Sequence, residues 1–416
     1  MSQSTARPNI FITVFCGTLT SLVVIGFARL AYGVILPAMR ADLDLSYQQA
    51  GILGTITALC YVGFVLAGGL AAARWGAKAS IIFGMLTVSA GFVGLALVSG
   101  FWFIAGFMGL LGFGTAFAFA PMVSLLATWF PDKRGLVIGC MTSGVGGGVL
   151  VAGLLVPWLF TVFGETGWRV SWGVFAVVAL LVATMIGVFV RNPPKHATGA
   201  GERPPTADKW LIYKNPRVII VASVYGAIGL TYIVQTVFMV SFMVETGYAE
   251  SIAGSYVAMM GLMSIVAGPL WGWLSDFWGR GNALTGSMIL VTTAMGLPLL
   301  DQSLTMFFFH FLVMGISLNG LFALIQASAT DQVAPRYIPI AFSFVTLFFA
   351  LGQFIGPAVA GWLIEETGDF RIAFGFAFVV LVGGTVLTLL IRRFPNEWAV
   401  GEPGKAEAEA APASAP

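Results

Sequence analysis

Twelve stretches long enough and apolar enough to cross a bilayer, about 20 residues each, take up most of this 416-residue chain. Nothing else constrains its fold so strongly. They run over approximately 10–36, 48–73, 79–99, 101–128, 136–160, 169–190, 217–243, 251–274, 283–300, 303–329, 338–363 and 371–391. A helix satisfies its own backbone N–H and C=O groups inside hydrocarbon, so twelve such runs predict an all-α polytopic membrane protein. Charged residues make up 9% of the chain, against about 25% in a soluble domain, which excludes an ordinary globule. A net charge of +2 is too small and too evenly drawn for a nucleic-acid binder. Three cysteines (Cys16, Cys60, Cys140) and two histidines (His196, His310) lack paired spacing, so neither a disulfide framework nor a metal site is expected. No cofactor is expected either.

The short loops carry a charge bias. Sixteen of the 20 Lys and Arg residues fall in one set of loops and termini, three (Arg40, Arg169, Arg371) in the opposite set, and Arg29 inside a span. Positive loops stay in the cytoplasm, so both termini are expected there, with the chain in the inner (cell) membrane. The first span is too long for a removable signal and is expected to be retained.

The chain divides at 191–216, a Pro-, Gly- and charge-rich cytoplasmic linker. Six spans precede it in 1–190 and six follow in 217–392, with a disordered tail over 393–416. The halves repeat. Gly26–Arg29 matches Gly229–Tyr232, Ala50-Gly51 matches Ala253-Gly254 and Trp75-Gly76 matches Trp278-Gly279, all at an offset of 203, while Glu165–Gly167 matches Glu366–Gly368 at 201. Repeats of the same hand are related by an axis along the membrane normal.

With these landmarks the sequence resembles the major facilitator superfamily. Its signature between spans 2 and 3 occurs twice, as Gly272-Trp-Leu274-Ser-Asp276-Phe-Trp-Gly279-Arg280 and, with Ala73 in place of the Asp, as Gly69-Leu-Ala-Ala-Ala73-Arg74-Trp-Gly76-Ala-Lys78. The segment Trp129-Phe-Pro-Asp-Lys-Arg134-Gly-Leu-Val-Ile-Gly139 resembles the span 4–5 junction of the monocarboxylate transporter and oxalate:formate exchanger branch. The resemblance implies a central cavity lined by spans 1, 4, 7 and 10. It also implies cytoplasmic gating through the loops of Asp276, Arg280, Arg74 and Lys78, asymmetric because Ala73 replaces one carboxylate.

Arg29 is the most informative single residue. An Arg in mid-span costs roughly 2.5–3.5 kcal/mol on insertion scales, and all 18 acidic residues fall in loops, tails or span ends. Its guanidinium is thus free to hold an external anion through a bidentate fork. Snorkelling toward the interface, or a carbonyl contact between helices, is the alternative. Tyr232 occupies the matching position of the second half, and Tyr225, Tyr232 and Gln235 share a face of span 7, as Arg29 and Tyr32 do of span 1. Asn319 and Gln326 on span 10, and Thr346 and Gln353 on span 11, repeat at seven residues. These polar stripes suit a small polar solute or, alternatively, hydrogen bonds between helices. His310 is expected near the outer interface or against a neighbouring helix, with a proton-coupling role as the alternative. The run Gly144–Gly148 is expected to let helices approach closely. The aromatic residues Trp102, Trp129, Trp158, Trp168, Trp271 and Trp273 are expected in interfacial belts.

Together these features predict a secondary transporter of a small organic anion, most simply a monocarboxylate, acting as a monomer in the lipid bilayer by alternating access, with a proton as an optional partner. An exporter of drugs or metabolites is the alternative. Enzymatic activity is not expected, since no acid–base pair is visible.

Overall fold

The computed structural model describes residues 8–130, 133–193, 213–331 and 338–391. Most of the expected linker, the whole expected tail, His196 and the side chains of Arg134 and Gln326 lie outside the described residues. Among those described, twelve long helices follow in order: α1 Ile10–Leu43, α2 Tyr47–Trp75, α3 Ala77–Leu97, α4 Phe101–Trp129, α5 Arg134–Phe163, α6 Gly167–Phe189, α7 Pro216–Glu245, α8 Glu250–Trp278, α9 Arg280–Leu300, α10 Leu304–Asp331, α11 Ile338–Thr367 and α12 Phe370–Leu390. The long apolar stretch from Leu136 to Phe189 is broken into α5 and α6 by a 3-10 turn at Gly164–Thr166.

Several helices overrun the apolar stretches. Hydropathy marks only what fits hydrocarbon, whereas helical hydrogen bonding continues into the interface until a residue caps it. α1 runs on to Leu43 and ends at Asp44, whose φ of 49° is left-handed. α2 then starts on a capping box, with the Ser46 hydroxyl accepting from Gln49 N–H and the Gln49 side chain accepting from Ser46 N–H. α2 and α3 meet at Gly76 (φ 92°), and α8 and α9 at Gly279 (φ 80°). These two repeat-related turns need glycine for the same reason, because a Cβ is strained at positive φ.

The packing repeats with the sequence. α2 packs on α4, α4 on α3 and α3 on α6; α8 packs on α10, α10 on α9 and α9 on α12 in the same way. Gly26 lies against Gly148 of α5, where a Cβ would stand 2.7 Å from the Gly148 Cα, and its equivalent Gly229 lies against Phe349 of α11. The two six-helix halves meet through α2–α11, α5–α8 and α1–α7, the first two being images of each other. The repeated glycines make those images close: Gly51 of α2 meets the carbonyl of Pro357, and Gly254 of α8 meets Pro157.

The expected belt is corrected at three positions. Trp102, Trp158 and Trp273 are exposed, but Trp129, Trp168 and Trp271 are buried, each with its indole N–H donating inward: to Arg191 O (2.9 Å), Asp42 Oδ2 (3.1 Å) and Ile316 O (2.9 Å). A position near a span end leaves lipid-facing and protein-facing indoles equally plausible, and an inward acceptor decided these three.

Candidate functional site

Arg29 stands on α1 where its winding changes. Over Leu22–Leu30 the helix opens to π geometry, and Ala31 N–H donates five residues back to Gly26 O at 2.9 Å. Such π turns inside α-helices recur at functional sites. The widened stretch is held from α4 by Thr115, whose hydroxyl donates to Val24 O at 3.0 Å.

The guanidinium crosses between the halves. Nη2 donates to Oε1 of Gln353 on α11 at 3.0 Å, and the group lies over the ring of Tyr61 on α2, 5.0 Å from its centroid. Gln353 is buried while Arg29 is half-buried. Among the described residues the ion pairs are Arg40–Glu245 and Arg169–Asp42, and neither involves Arg29. Its partners are a neutral amide and an aromatic face.

Next to this group, α1, α5, α7, α8 and α10 enclose a cavity of about 40 Å³ whose wall includes Leu30, Gly146, Tyr232, Gln235, Met260 and Asn319. That is room for very few water molecules. Tyr232 is within electrostatic range of Arg29 and sets its ring edgewise on Phe322 at 5.2 Å. Asn319 Nδ2 donates to Ser264 O at 3.2 Å. Behind Gln235 lies His310, fully buried, its Nε2 at 2.8 Å from Gln235 Oε1 and its Nδ1 at 2.7 Å from Ala294 O.

The structure therefore brings Arg29, Gln353, Tyr232, Gln235 and Asn319 toward the axis. Two expected site residues point elsewhere. The buried Tyr32 hydroxyl donates to Ala50 O of α2 at 3.0 Å, and Tyr225 stacks on Phe349 with centroids 4.2 Å apart. Thr346 is half-buried on α11, and the Gln326 side chain lies outside the described residues. His310 is packed between helices rather than at the interface.

At the end of the bundle where α1 ends and α2 begins, the halves are joined by groups that sequence inspection left as loop charges. Arg40 Nη2 of α1 meets Glu245 Oε1 of α7 at 3.1 Å, and its guanidinium lies over the Tyr47 ring at 4.0 Å. The Tyr47 hydroxyl donates to Glu245, and its backbone N–H donates to Glu365 Oε2 at 2.8 Å. This far-end gate borders an open hollow of about 540 Å³ lined also by Asp44 and Asp369. The available signal was position: Arg40 and Glu245 close the matching spans 1 and 7.

The near end, where α1 begins and α12 ends, is apart. On α5, Gly153, Gly146 and Gly139 repeat every seven residues; on α8, Gly254, Gly261 and Gly268 do the same in the opposite direction. A Cβ at Gly153 would stand 2.5 Å from Gly254 O, and one at Gly146 2.7 Å from Gly261 O, yet Gly139 and Gly268 meet nothing within 4 Å. Gly51 of α2 touches α11, whereas Gly69, five turns on, again meets nothing. At that near end the expected gating residues stand as follows. Asp276 and Arg74 are exposed, Arg280 is half-buried, and Lys78 is tied within its own half to Gly187 O (Nζ, 2.6 Å) and, through its backbone N–H, to Asn192 (2.8 Å).

Two repeated six-helix halves closed at one end, with a cationic group on the axis between them, define a transporter of the major facilitator superfamily. The chain belongs to the family described as "Uncharacterised MFS-type transporter YbfB", whose model matches residues 21–389. It is 26% identical to the hexuronate transporter of Bacillus subtilis over 92% of this chain and 93% of that protein. It is 25% identical to human monocarboxylate transporter 11, over 88% and 79%. In fold it resembles a bacterial homologue of the human lysosomal transporter Spinster, with a TM-score of 0.77 at 18% identity, covering 93% of this chain and 98% of that one.

Proposed function

We propose that the protein moves a small organic anion, a monocarboxylate in the simplest case, by alternating access of its two halves, with Arg29 as the charge partner of the carboxylate. The observation that carries this is the Arg29 environment: a guanidinium in mid-span with a neutral amide oxygen and a ring face as its partners. A carboxylate displacing the Gln353 amide would bring a full negative charge and two oxygens to the fork, where the amide offers one neutral oxygen. Tyr232, Gln235 and Asn319 supply further hydrogen bonds from the second half. The names of the hexuronate and monocarboxylate relatives support an anionic substrate, as both solutes carry a carboxylate. The loop charge bias supports cytoplasmic termini in the cell membrane, which makes the structure closed toward the outside.

The test is thermal stabilisation of the purified protein across D-glucuronate, L-lactate, acetate and tartrate, since a bound ligand stabilises by mass action. At least one carboxylate should raise Tm, and Arg29→Ala should abolish the shift while the variant still folds. An undiminished shift in Arg29→Ala would remove Arg29 from the site, and with it this reading.

A further inference from the structure

We infer that His310 and Gln235 form a proton-binding pair whose state of protonation decides which end of the Gln235 amide faces the central cavity. Both ring nitrogens of the fully buried His310 stand at hydrogen-bond distance from oxygen: Nδ1 from the Ala294 carbonyl at 2.7 Å, Nε2 from Gln235 Oε1 at 2.8 Å. A neutral imidazole carries one N–H and can donate to one of them only; an imidazolium donates to both. The Ala294 carbonyl is fixed in the backbone of α9, so Nδ1–H is used there in either state. The Gln235 amide is the part that can adapt. With the ring protonated, its oxygen accepts from Nε2–H and its NH2 faces the side of the cavity, 3.9 Å from Met260 Sδ. With the ring neutral, the amide turns over, NH2 donates to the bare Nε2, and the oxygen faces the cavity.

Among the described residues, no carboxylate of the surrounding helices stands beside this pair. α10 carries His310 beside Phe311; α7 contributes Gln235 and Tyr232; α8 contributes Met260 and Tyr256, whose hydroxyl is bonded to Leu304 O; α9 contributes the Ala294 carbonyl; α1, which lines the same cavity through Leu30 and Val34, carries the cation Arg29. The charged residues of α7 to α11, Arg217, Glu245, Glu250, Asp276, Arg280, Asp301, Asp331, Glu365 and Glu366, all stand at or near helix ends. Among the described residues, a proton added to His310 therefore meets no carboxylate, and its charge is carried by two oxygens.

The consequence for the cavity rests on the proposed function. Gln235 lines the same cavity as Tyr232 and Asn319. A proton on His310 presents a hydrogen-bond donor there, which suits a carboxylate; its loss presents an oxygen, which repels one. Proton and anion would then favour each other's binding by the same factor, as linkage requires, and travel in the same direction without any carboxylate in the membrane.

The two histidines make the test direct. In H196Q protein, His310 is the sole histidine, and ¹⁵N NMR of its ring reports whether one or both nitrogens carry hydrogen as pH is lowered. The ring should pass to the doubly protonated form as the pH falls. Gln235→Leu, which removes the oxygen, should weaken proton affinity by at least about tenfold, a shift of one pH unit or more. Gln235→Glu, which supplies a carboxylate, should strengthen it by a similar factor. A ring that never takes the second proton, or a midpoint indifferent to both substitutions, would overturn the pair as a proton site. D-Glucuronate or L-lactate, whichever raises Tm, should move the midpoint upward; an unmoved midpoint with a carboxylate that does bind overturns the coupling. If no carboxylate binds, the failure belongs to the transport reading, and the ring titration still decides the proton site.

Discussion

The Arg29 guanidinium and the Gln353 amide are bonded across the boundary between the two halves, Nη2 to Oε1 at 3.0 Å. A contact on the axis that joins one helix of each half both holds the present arrangement and occupies the cation. On the proposed function, a substrate that takes Arg29 would break it, and binding would be linked to the relative movement of α1 and α11 through one hydrogen bond.

Gln353→Glu turns that linkage into a test. The substituted carboxylate would neutralise Arg29 from within, in an almost isosteric side chain, and compete with any external anion. Affinity for carboxylates should fall at least about tenfold, or 1.4 kcal/mol, while Tm without ligand holds or rises. Thermal-shift titration with the same carboxylates measures both. Unchanged affinity would mean the substrate does not contend with Gln353 for the guanidinium.

The far-end gate is the second contact that can be weighed. The Arg40–Glu245 pair is partly exposed, with side chains 30% and 49% accessible, so screening limits it to about 0.2–1 kcal/mol. Glu245→Gln also weakens the acceptor of the Tyr47 hydroxyl. Opening at this end should rise by about two- to fivefold. Thr55, whose hydroxyl donates to Phe354 O of α11 at 3.2 Å, is a reporter position: Thr55→Cys, with Cys16, Cys60 and Cys140 replaced by serine, should react faster with a hydrophilic thiol reagent in Glu245→Gln. Equal rates would show that helix packing alone keeps this end closed.

What could be read in the sequence follows the range of the interactions concerned. The helices were legible because each span must satisfy its backbone locally, and Gly76 and Gly279 because a positive-φ turn constrains the residue itself. Arg29 stood out because a cation inside a span has few explanations. Its partner Gln353 could be placed on a polar stripe but not paired with it, since 324 residues separate them. Tyr32 was placed on Arg29's face by α-helical spacing, and the π winding of Leu22–Leu30 changes the rotation per residue just before it, so that its hydroxyl reaches Ala50 instead. For Tyr225, spacing gives the face of a helix but not which neighbour stacks at each level of it, and Phe349 stacks at this one. The far-end gate was hidden because Arg40, Tyr47 and Glu245 look like solvated loop residues until the halves are set together.

The three glycine pairs between α5 and α8 predict opposite outcomes for similar substitutions. Gly261→Leu places a side chain where a Cβ would already lie 2.4 Å from Leu150 N, and overpacking of that kind costs about 1–3 kcal/mol. Tm should fall and the far end should open. Gly268→Leu enters open space in the present state, so Tm should hold, but the near end can no longer close. Transport should be lost in Gly268→Leu with carboxylate binding retained. Spin-label distances between α5 and α8 at the near end should stay long in that variant under all conditions; a distance that still shortens when substrate is added would show that these helices do not meet there.

Asp276 carries the last prediction, because it does nothing visible in this state. It is exposed and, among the described residues, in no ion pair, so Asp276→Asn should leave the Tm of the present state unchanged. The family resemblance implies that, on closure of the near end, its loop meets the start of α5, where backbone N–H groups and the positive end of the helix dipole would favour a carboxylate by about 0.3–1 kcal/mol. Loss of that contact would deplete the closed near end by about two- to fivefold, in the same direction as Gly268→Leu though far short of it. The first half has Ala73 at the matching position, and Ala73→Asp should act oppositely, adding an acceptor for closure. Thiol labelling of a cysteine at Thr142 of α5 from the near end, faster in Asp276→Asn and slower in Ala73→Asp, is the expected pattern. Identical rates in all three proteins would leave Asp276 a solvated loop charge and place the closing force elsewhere, in the helix contacts of Gly139 and Gly268.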